Sequence, residues 1–548
     1  MKNRNYPLYE LPMITDLKDL LIQKKEKQPD KTAFIYEKKR GEFAEKTYQN
    51  FYDDVNALGA AFWNQELCGK HIAVIGENSY QWLVCFFAVV NGGGVAVPID
   101  KELPEPEIAK LLQKADAEWI FCSEKYHKKV ENAVRMLRGI TVYSMIELEQ
   151  YIEDGYQKLS AQNNPYTAYE IDSHKTCCIL FTSGTSGESK GVMLSHQNIA
   201  ADINAGCQMF ELTGDTIVVL PLHHAFGLVV GVFVPFHYGR TIFINRSIKT
   251  FQKDLQDVKP QAIALVPLFV ETFYKQIWAA ARKDGKEKLL KNMMRCSDIL
   301  LRLGIDIRKK AFQSVQQVFG GNLEYIVCGG APLGVQYIKA FRSWGIEILN
   351  GYGTTECSPC IAVNRNRYHK DGTVGMTYPN IEVKVSDDGE IFVKGAIVMQ
   401  GYYKNPAETD RVLCNGWYAT GDIGSVDRDG FITLTGRKKN LIILSNGENI
   451  SPEELEADFL KDMAVSEVLV KERQGLLAAE IYPDKSYLAE IHKDSDRTAY
   501  FEQLRQTVNK SRPLYKQISV IELRDTEFDK NTSRKIVRYK EEKRSTRC

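Results

Sequence analysis

The sequence predicts an α/β protein: a large N-terminal domain of stacked, mostly parallel sheets with helices, and a small α+β C-terminal domain. Three observations predict it. Short apolar runs alternate with amphipathic stretches over most of the chain. After about residue 373 the texture changes to closely spaced hairpins. A basic turn, Gly436-Arg-Lys-Lys-Asn440, then precedes a compact α+β pattern. Continuous apolar strands separated by helices mean parallel sheets covered on both faces.

Residues 71–75, 94–98, 119–121, 178–182, 216–220, 241–244, 262–266, 325–328 and 346–349 read as strands. Residues 104–115 and 335–343 read as amphipathic helices, and 289–319 as a long, basic helical stretch. The turn Ser386-Asp-Asp-Gly389 between residues 381–385 and 390–393 is a hairpin signal, and 426–434 repeats it. These hairpins form a small β-barrel-like part. The domain boundary is placed at the basic turn, giving residues 1–437 and 438–548. Residues 540–547 read as a charged tail.

Length and composition narrow the class. A chain of 548 residues exceeds one ordinary core. Hydrophobic content of 44% with 26% charged residues fits a soluble globular protein. A net charge of +1 gives no support for a nucleic-acid or membrane-surface footprint. No apolar run reaches the roughly 18 residues of a membrane span. The N-terminus lacks the apolar core of a signal peptide, so a cytoplasmic location is expected. Most of the 12 cysteines sit in apolar surroundings and read as small core residues. Cys357-Ser-Pro-Cys360 has redox or zinc spacing, but no second pair of ligand spacing accompanies it.

The richest motif is Phe181-Thr-Ser-Gly-Thr-Ser-Gly-Glu-Ser-Lys190-Gly191. Glycines let the backbone approach a polyphosphate, hydroxyls and N–H groups donate, and Lys190 adds a charge. It is no P-loop. Two residues separate Gly184 from Gly187 instead of four, and no hydroxyl follows Lys190. A flexible linker has similar composition, but this segment lies between an apolar strand and a helix start capped by Ser195. The expected order is strand, phosphate loop, helix.

Three more loops follow predicted strands: 221–227, 329–332 and 350–356. In open α/β sheets ligands bind beyond the carboxyl ends of the strands, so the four loops are expected to converge. Tyr352 between two glycines is placed to stack on a base. Glu356 is a candidate Mg²⁺ ligand beside substrate phosphates. Singly, each feature has a plainer reading. Gly329-Gly330 is also a tight turn, Glu356 a first-turn helix acid, and His223 and His224 packed strand-end histidines.

Together these motifs resemble the adenylate-forming superfamily of acyl-CoA synthetases, luciferase and peptide-synthetase adenylation domains, over about residues 30–538. The block 351–356, the 289–319 insertion and Leu444-Ser-Asn-Gly-Glu-Asn449 resemble bacterial long-chain fatty acid–CoA ligases. The resemblance implies a phosphate loop of Thr182, Ser183, Gly184, Thr185, Ser186, Gly187 and Lys190. It implies an adenine segment at Gly329, Gly330, Ala331 and Pro332, with Asn350, Gly351, Tyr352, Gly353 and Thr354 completing the nucleotide site. Thr355 would contact the α-phosphate and Glu356 the Mg²⁺. Asp422 would accept from the ribose hydroxyls, and Arg437 would reach ribose or phosphates. Lys439 matches the hinge, Gly447 the thiol-tunnel loop, His224 the gate between acyl pocket and thiol, and Lys535 the catalytic lysine. Two departures stand out: Arg534 replaces the usual glycine before that lysine, and Ser189 the usual proline before Lys190.

The implied reaction joins a carboxylic acid, expected to be a medium- or long-chain fatty acid, to ATP. It gives acyl-AMP and pyrophosphate, then transfers the acyl group to coenzyme A. An acyl carrier protein as acceptor, or an inactive nucleotide-binding homologue, are the alternatives. Phe226, Leu228, Val229, Val230 and Phe233 read as tunnel lining or as a buried helix face. A peripheral membrane contact stays open, with 289–319 as its candidate.

Overall fold

The computed structural model describes residues 7–63, 67–135, 137–159, 164–183, 188–444, 449–493, 496–510, 512–530 and 536–538. The expected tail at 540–547 lies outside them, as do Gly184, Thr185, Ser186, Gly187, Gly447, Arg534 and Lys535.

Two large sheets share one core. The first has nine strands, in the order Met376–Thr377, Ala362–Val363, Glu347–Tyr352, Tyr325–Cys328, Ala262–Leu265, Thr216–Val218, Ile242–Ile244, Thr32–Lys39 and Glu42–Thr47. Its centre is parallel, and antiparallel pairs close both edges. The second runs Gly401–Tyr402, Ser189–Ser195, Thr176–Ser183, Val95–Ile99, His71–Ile75, Trp119–Cys122 and Thr141–Ser144. Phe34 and Ile242 from the first sheet and Ile72, Ala96 and Cys178 from the second belong to the same buried cluster. All nine expected strands are present, because strands buried on both faces are continuous apolar runs.

The helix Tyr80–Asn91 is buried along its length except at Gln81. A helix apolar all round can only be buried. Ser79 caps it, its side chain accepting from the Trp82 N–H, and Trp82 stacks on Phe86 with ring centroids 5.6 Å apart.

The phosphate motif folds differently from the expected strand, loop and helix. Residues Ser189–Ser195 form a second strand, antiparallel to Thr176–Ser183, with Lys190 opposite Thr182. The described ends of the motif therefore face each other across a hairpin, and Lys190 lies on a strand. Its return strand is stabilised on the other side by Gly401–Tyr402, a partner distant in sequence. The helix His196–Met209 then starts as expected, with a reciprocal capping box between Ser195 and Asn198.

The hairpin region is a five-stranded antiparallel sheet of Ile381–Val385, Glu390–Gly395, Leu413–Cys414, Trp417–Val426 and Ile432–Arg437. Beyond the short turn Lys438–Asn440 the chain builds a three-stranded sheet, Val465–Arg473, Leu476–Pro483 and Val520–Leu523. The helices Pro452–Phe459 and Arg497–Asn509 pack on it around Leu455, Phe459, Val468, Ile481 and Phe501. This unit touches the first sheet's helices through Lys275–Asp484 at 3.0 Å and Arg282–Glu490 at 2.7 Å.

Candidate active site

The strand ends do converge. The Gly329 N–H donates to the Leu265 carbonyl at 3.2 Å, tying two neighbouring loops of the first sheet. Phe226 rests on Gly329, so a Cβ there would sit 3.2 Å from its ring. Asn78, after the strand His71–Ile75 of the second sheet, donates to the Leu220 carbonyl at 2.8 Å and accepts from the Leu222 N–H at 3.2 Å. His223 lies 3.6 Å from Asp100, which follows the strand Val95–Ile99. The two sheets thus present their carboxyl ends to one place.

His223 is a packed histidine, and its plainer reading is the right one. Burial, then the adjacent His224 and Lys101, push its imidazole well below its ordinary range, so it is neutral. The His224 ring stands 4.3 Å from it, half-buried. Leu228, Val229 and Phe233 are core residues. Phe233 packs on Phe86 and Phe87, leaving Phe226 and Val230 as half-buried members of the expected tunnel set.

The loop after Glu347–Tyr352 is held by close approach. A Cβ at Gly353 would lie 1.8 Å from the Pro359 carbonyl oxygen, so only glycine fits. Gly330 takes φ +85, a backbone that glycine adopts freely. Gly330, Ala331 and Pro332 are exposed, whereas Asn350 is buried and Gly351, Thr354, Thr355 and Glu356 are half-buried. The Thr354 side chain lies beside the Cys357 thiol and the Tyr418 hydroxyl.

Tyr352, Asp422 and Arg437 form one chain. The Tyr352 hydroxyl donates to Asp422 Oδ2 at 2.7 Å, and Arg437 Nε pairs with Oδ1 at 2.7 Å. Asp422 and Arg437 are cross-strand partners in the five-stranded sheet. The Asp422 N–H donates to the Thr420 hydroxyl at 3.1 Å, fixing its backbone. A carboxylate offers about four acceptor sites, so Asp422 keeps capacity for ligand hydroxyls.

A second chain joins Glu356 to Lys190 through Tyr402. The Tyr402 hydroxyl donates to Glu356 at 2.8 Å, and the Lys190 ammonium lies 5.0 Å over the Tyr402 ring. Lys190 also pairs with Glu408. Burial would raise the Glu408 carboxyl, but Lys190 and Arg411 outweigh it and hold it below the usual range. Lys439 is half-buried in the same region. Burial first, then Arg437, with Glu453 opposing, and then Arg538 and Lys190 lower its ammonium below the ordinary value. Arg437, Arg538 and Lys190 thus lie within the electrostatic reach of Lys439, each of the three paired with a carboxylate of its own.

Tyr402, Glu408 and Arg538 were missed by the sequence reading. Their signals were weak: a tyrosine pair in a hairpin region, one acid in a short helix, and an arginine in a basic tail. The described part of the phosphate hairpin is Thr182, the Ser183 backbone and Lys190. Gly184, Thr185, Ser186, Gly187, Gly447 and Lys535, with the Ser183 side chain, lie outside the described residues. Cys357 and Cys360 are free, buried thiols that burial pushes up, a poor setting for redox chemistry.

The chain is similar in sequence and fold to known proteins. The family described as AMP-binding enzyme matches residues 21–403. The chain belongs to that family. A relative named long-chain-fatty-acid–CoA ligase FadD15, from Mycobacterium bovis, is 29% identical over 73% of this chain and 71% of its own. Long chain acyl-CoA synthetase 1 of Arabidopsis thaliana is 27% identical over 95% of this chain and 86% of its own. The solved structure of o-succinylbenzoate coenzyme A synthetase from Bacillus subtilis, in complex with ATP and magnesium, superposes with a TM-score of 0.71 at 21% identity. It covers 95% of this chain and 98% of that one.

Proposed function

We propose that the protein activates a carboxylic acid, a medium- or long-chain fatty acid, with MgATP and transfers the acyl group to coenzyme A. The observation that carries this reading is the Tyr352–Asp422–Arg437 chain at the carboxyl edge of the parallel strands. It presents an aromatic ring, an acceptor for vicinal hydroxyls and a cation in one line. The two long-chain relatives support the fatty acid, and the o-succinylbenzoate enzyme marks an aromatic acid as the competing substrate class.

Magnesium fits the donor set. Among the described residues no group of three or more His, Cys, Asp or Glu gathers as a metal cage. Glu356 is a single half-buried carboxylate already oriented by Tyr402. One carboxylate plus substrate oxygens is how Mg²⁺ is usually held. When bound with ATP, the ion supplies neutralisation of phosphate charge.

Two anions must meet in the first step, so charge neutralisation carries much of the catalysis. Lys190 and the hairpin-tip hydroxyls are assigned to the β- and γ-phosphates. Arg437 and Thr355 are assigned to the α-phosphate and Lys535 to the attacking oxygen. A carboxylate oxygen bonds to the α-phosphorus as the bond to the β-phosphate oxygen breaks, and pyrophosphate leaves. The unit after residue 437 then turns about Lys439, bringing Gly447 to the thiol path past His224. The coenzyme A thiolate bonds to the acyl carbon and AMP leaves. Phe226 and Val230 are assigned to the acyl wall.

Pyrophosphate release with MgATP and carboxylates of increasing length tests the reading. Release should rise with chain length and exceed that with aromatic acids; equal or greater release with aromatic acids would reject the fatty-acid assignment. Lys535→Ala should abolish adenylation yet still convert supplied acyl-AMP to thioester, and Lys439→Pro should do the reverse. Equal failure of both variants in both half-reactions rejects the hinge. Offering carrier protein in place of coenzyme A decides the acceptor.

A further inference from the structure

The helix Glu287–Arg302 lies across the helices Pro267–Lys283 and Val335–Ser343. Its inner side places Leu290, Met293 and Met294 against the core of the first sheet. Ser297 is its one fully buried residue. Outside, Leu289, Ile299 and Leu303 are 55%, 58% and 71% exposed, and Ile305 in the following turn is 52% exposed. At 100° per residue, the first three fall within one quadrant of the helix.

Beside that stripe runs a line of exposed cations, Lys288, Arg295 and Arg302, one every seven residues. None of the three meets a carboxylate among the described residues. The helix's own acids are turned away and engaged: Glu287 pairs with Lys291, and Asp298 accepts from Ser343. Local positive charge is thus concentrated here in a chain of net charge +1.

We propose that this helix docks on an anionic lipid surface. Aliphatic side chains flanked by unpaired cations are the pattern of a helix lying in a bilayer interface. The cations match anionic headgroups, while Leu289, Ile299 and Leu303 reach the acyl boundary. A second protein fits less well, because a stable interface buries roughly 800 Å² per partner and this stripe is narrow. The surface goes beyond the proposed activity and does not depend on it; for an acyl-activating enzyme it would be where an apolar acid is met.

Co-sedimentation of the full chain with phosphatidylcholine vesicles, with and without phosphatidylglycerol, tests this at low and high salt. Binding is expected with phosphatidylglycerol and is lost in high salt. Each basic residue near an anionic surface contributes about five-fold, so Lys288→Glu/Arg295→Glu/Arg302→Glu should weaken partitioning about 100-fold. Ile299→Glu/Leu303→Glu should also detach the protein, with circular dichroism and thermal unfolding unchanged. If the triple variant fails to fold, Lys288→Gln alone should lower the salt dependence. Absence of phosphatidylglycerol preference, unchanged partitioning of the variants, or a dimer dissolved by Leu303→Glu in sedimentation velocity would overturn the proposal. Vesicle binding is read without catalysis, so its failure is separable from failure of the proposed activity.

Discussion

Lys190 illustrates how a side chain's setting refines its assignment. It sits on a strand between a tyrosine ring and Glu408, so on the proposed reading an incoming phosphate would compete with a carboxylate already in place. A hydrogen bond to a charged group contributes about 1.5–3 kcal/mol. Lys190→Ala should therefore raise the KM for MgATP roughly ten- to a hundred-fold. Glu408→Gln removes the competitor and should lower that KM several-fold, measured by pyrophosphate release. A rise with Glu408→Gln comparable to that with Lys190→Ala would mean that Glu408 positions the lysine instead. Asp422 differs in kind: Tyr352 and Arg437 converge on its carboxylate, which orients it and pairs its charge.

At the scale of elements, the helix Pro267–Lys283 carries an unusual acid. Burial raises the Glu271 carboxyl to about 7, opposed by Lys275, and Cys328 and Tyr337 lie within its field. The unfolded chain deprotonates this group near 4.5, while the folded chain holds the proton up to about 7. Between those values the folded state binds more protons, so stability falls as pH rises. The cost of burying the ionised carboxylate is absent below pH 4.5, grows between those values and is complete above 7. Glu271→Gln should raise Tm at pH 8, by the equivalent of about 1–3 kcal/mol, and change it little at pH 4. Thermal scans at the two pH values check this; an equal shift at both would assign the effect to packing.

Across the whole molecule, the C-terminal unit is held by polar contacts on one side. Lys275 and Arg282, on the helix Pro267–Lys283, meet Asp484 and Glu490, and Arg282 lies 5.1 Å over the Tyr487 ring. Partly exposed pairs contribute about 0.2–1 kcal/mol each, enough to bias a docking equilibrium without locking it. Lys275→Glu/Arg282→Glu should accelerate hydrogen exchange across residues 485–490 and change the ratio of the two half-reaction rates by less than about ten-fold. Adding Asp484→Lys/Glu490→Lys should restore both. Loss of exchange protection without rescue by the swap would mean that local packing, not charge, holds the unit.

Physical periodicity made much of the fold readable. Parallel strands covered on both faces appear as apolar runs, so residues 71–75 and 325–328 were placed to the residue. Glycines forced by close approach, as at Gly353, and cap chemistry, as at Ser195, are equally local and equally legible. What tertiary structure decided was pairing. The strand Ser189–Ser195 pairs along its length with Thr176–Ser183, and Gly401–Tyr402 covers its other edge, so an expected loop-to-helix step is a hairpin. Tyr402 and Glu408 entered the site through the same pairing, and Arg538 through the fold of the C-terminal unit. The sequence by itself determined the sheet class, the glycine loops and the residue types they carry. Only the tertiary structure decided which distant acids and rings face those loops, because hydrogen-bonded strand partners and buried charge pairs are selected by proximity, which no local pattern encodes.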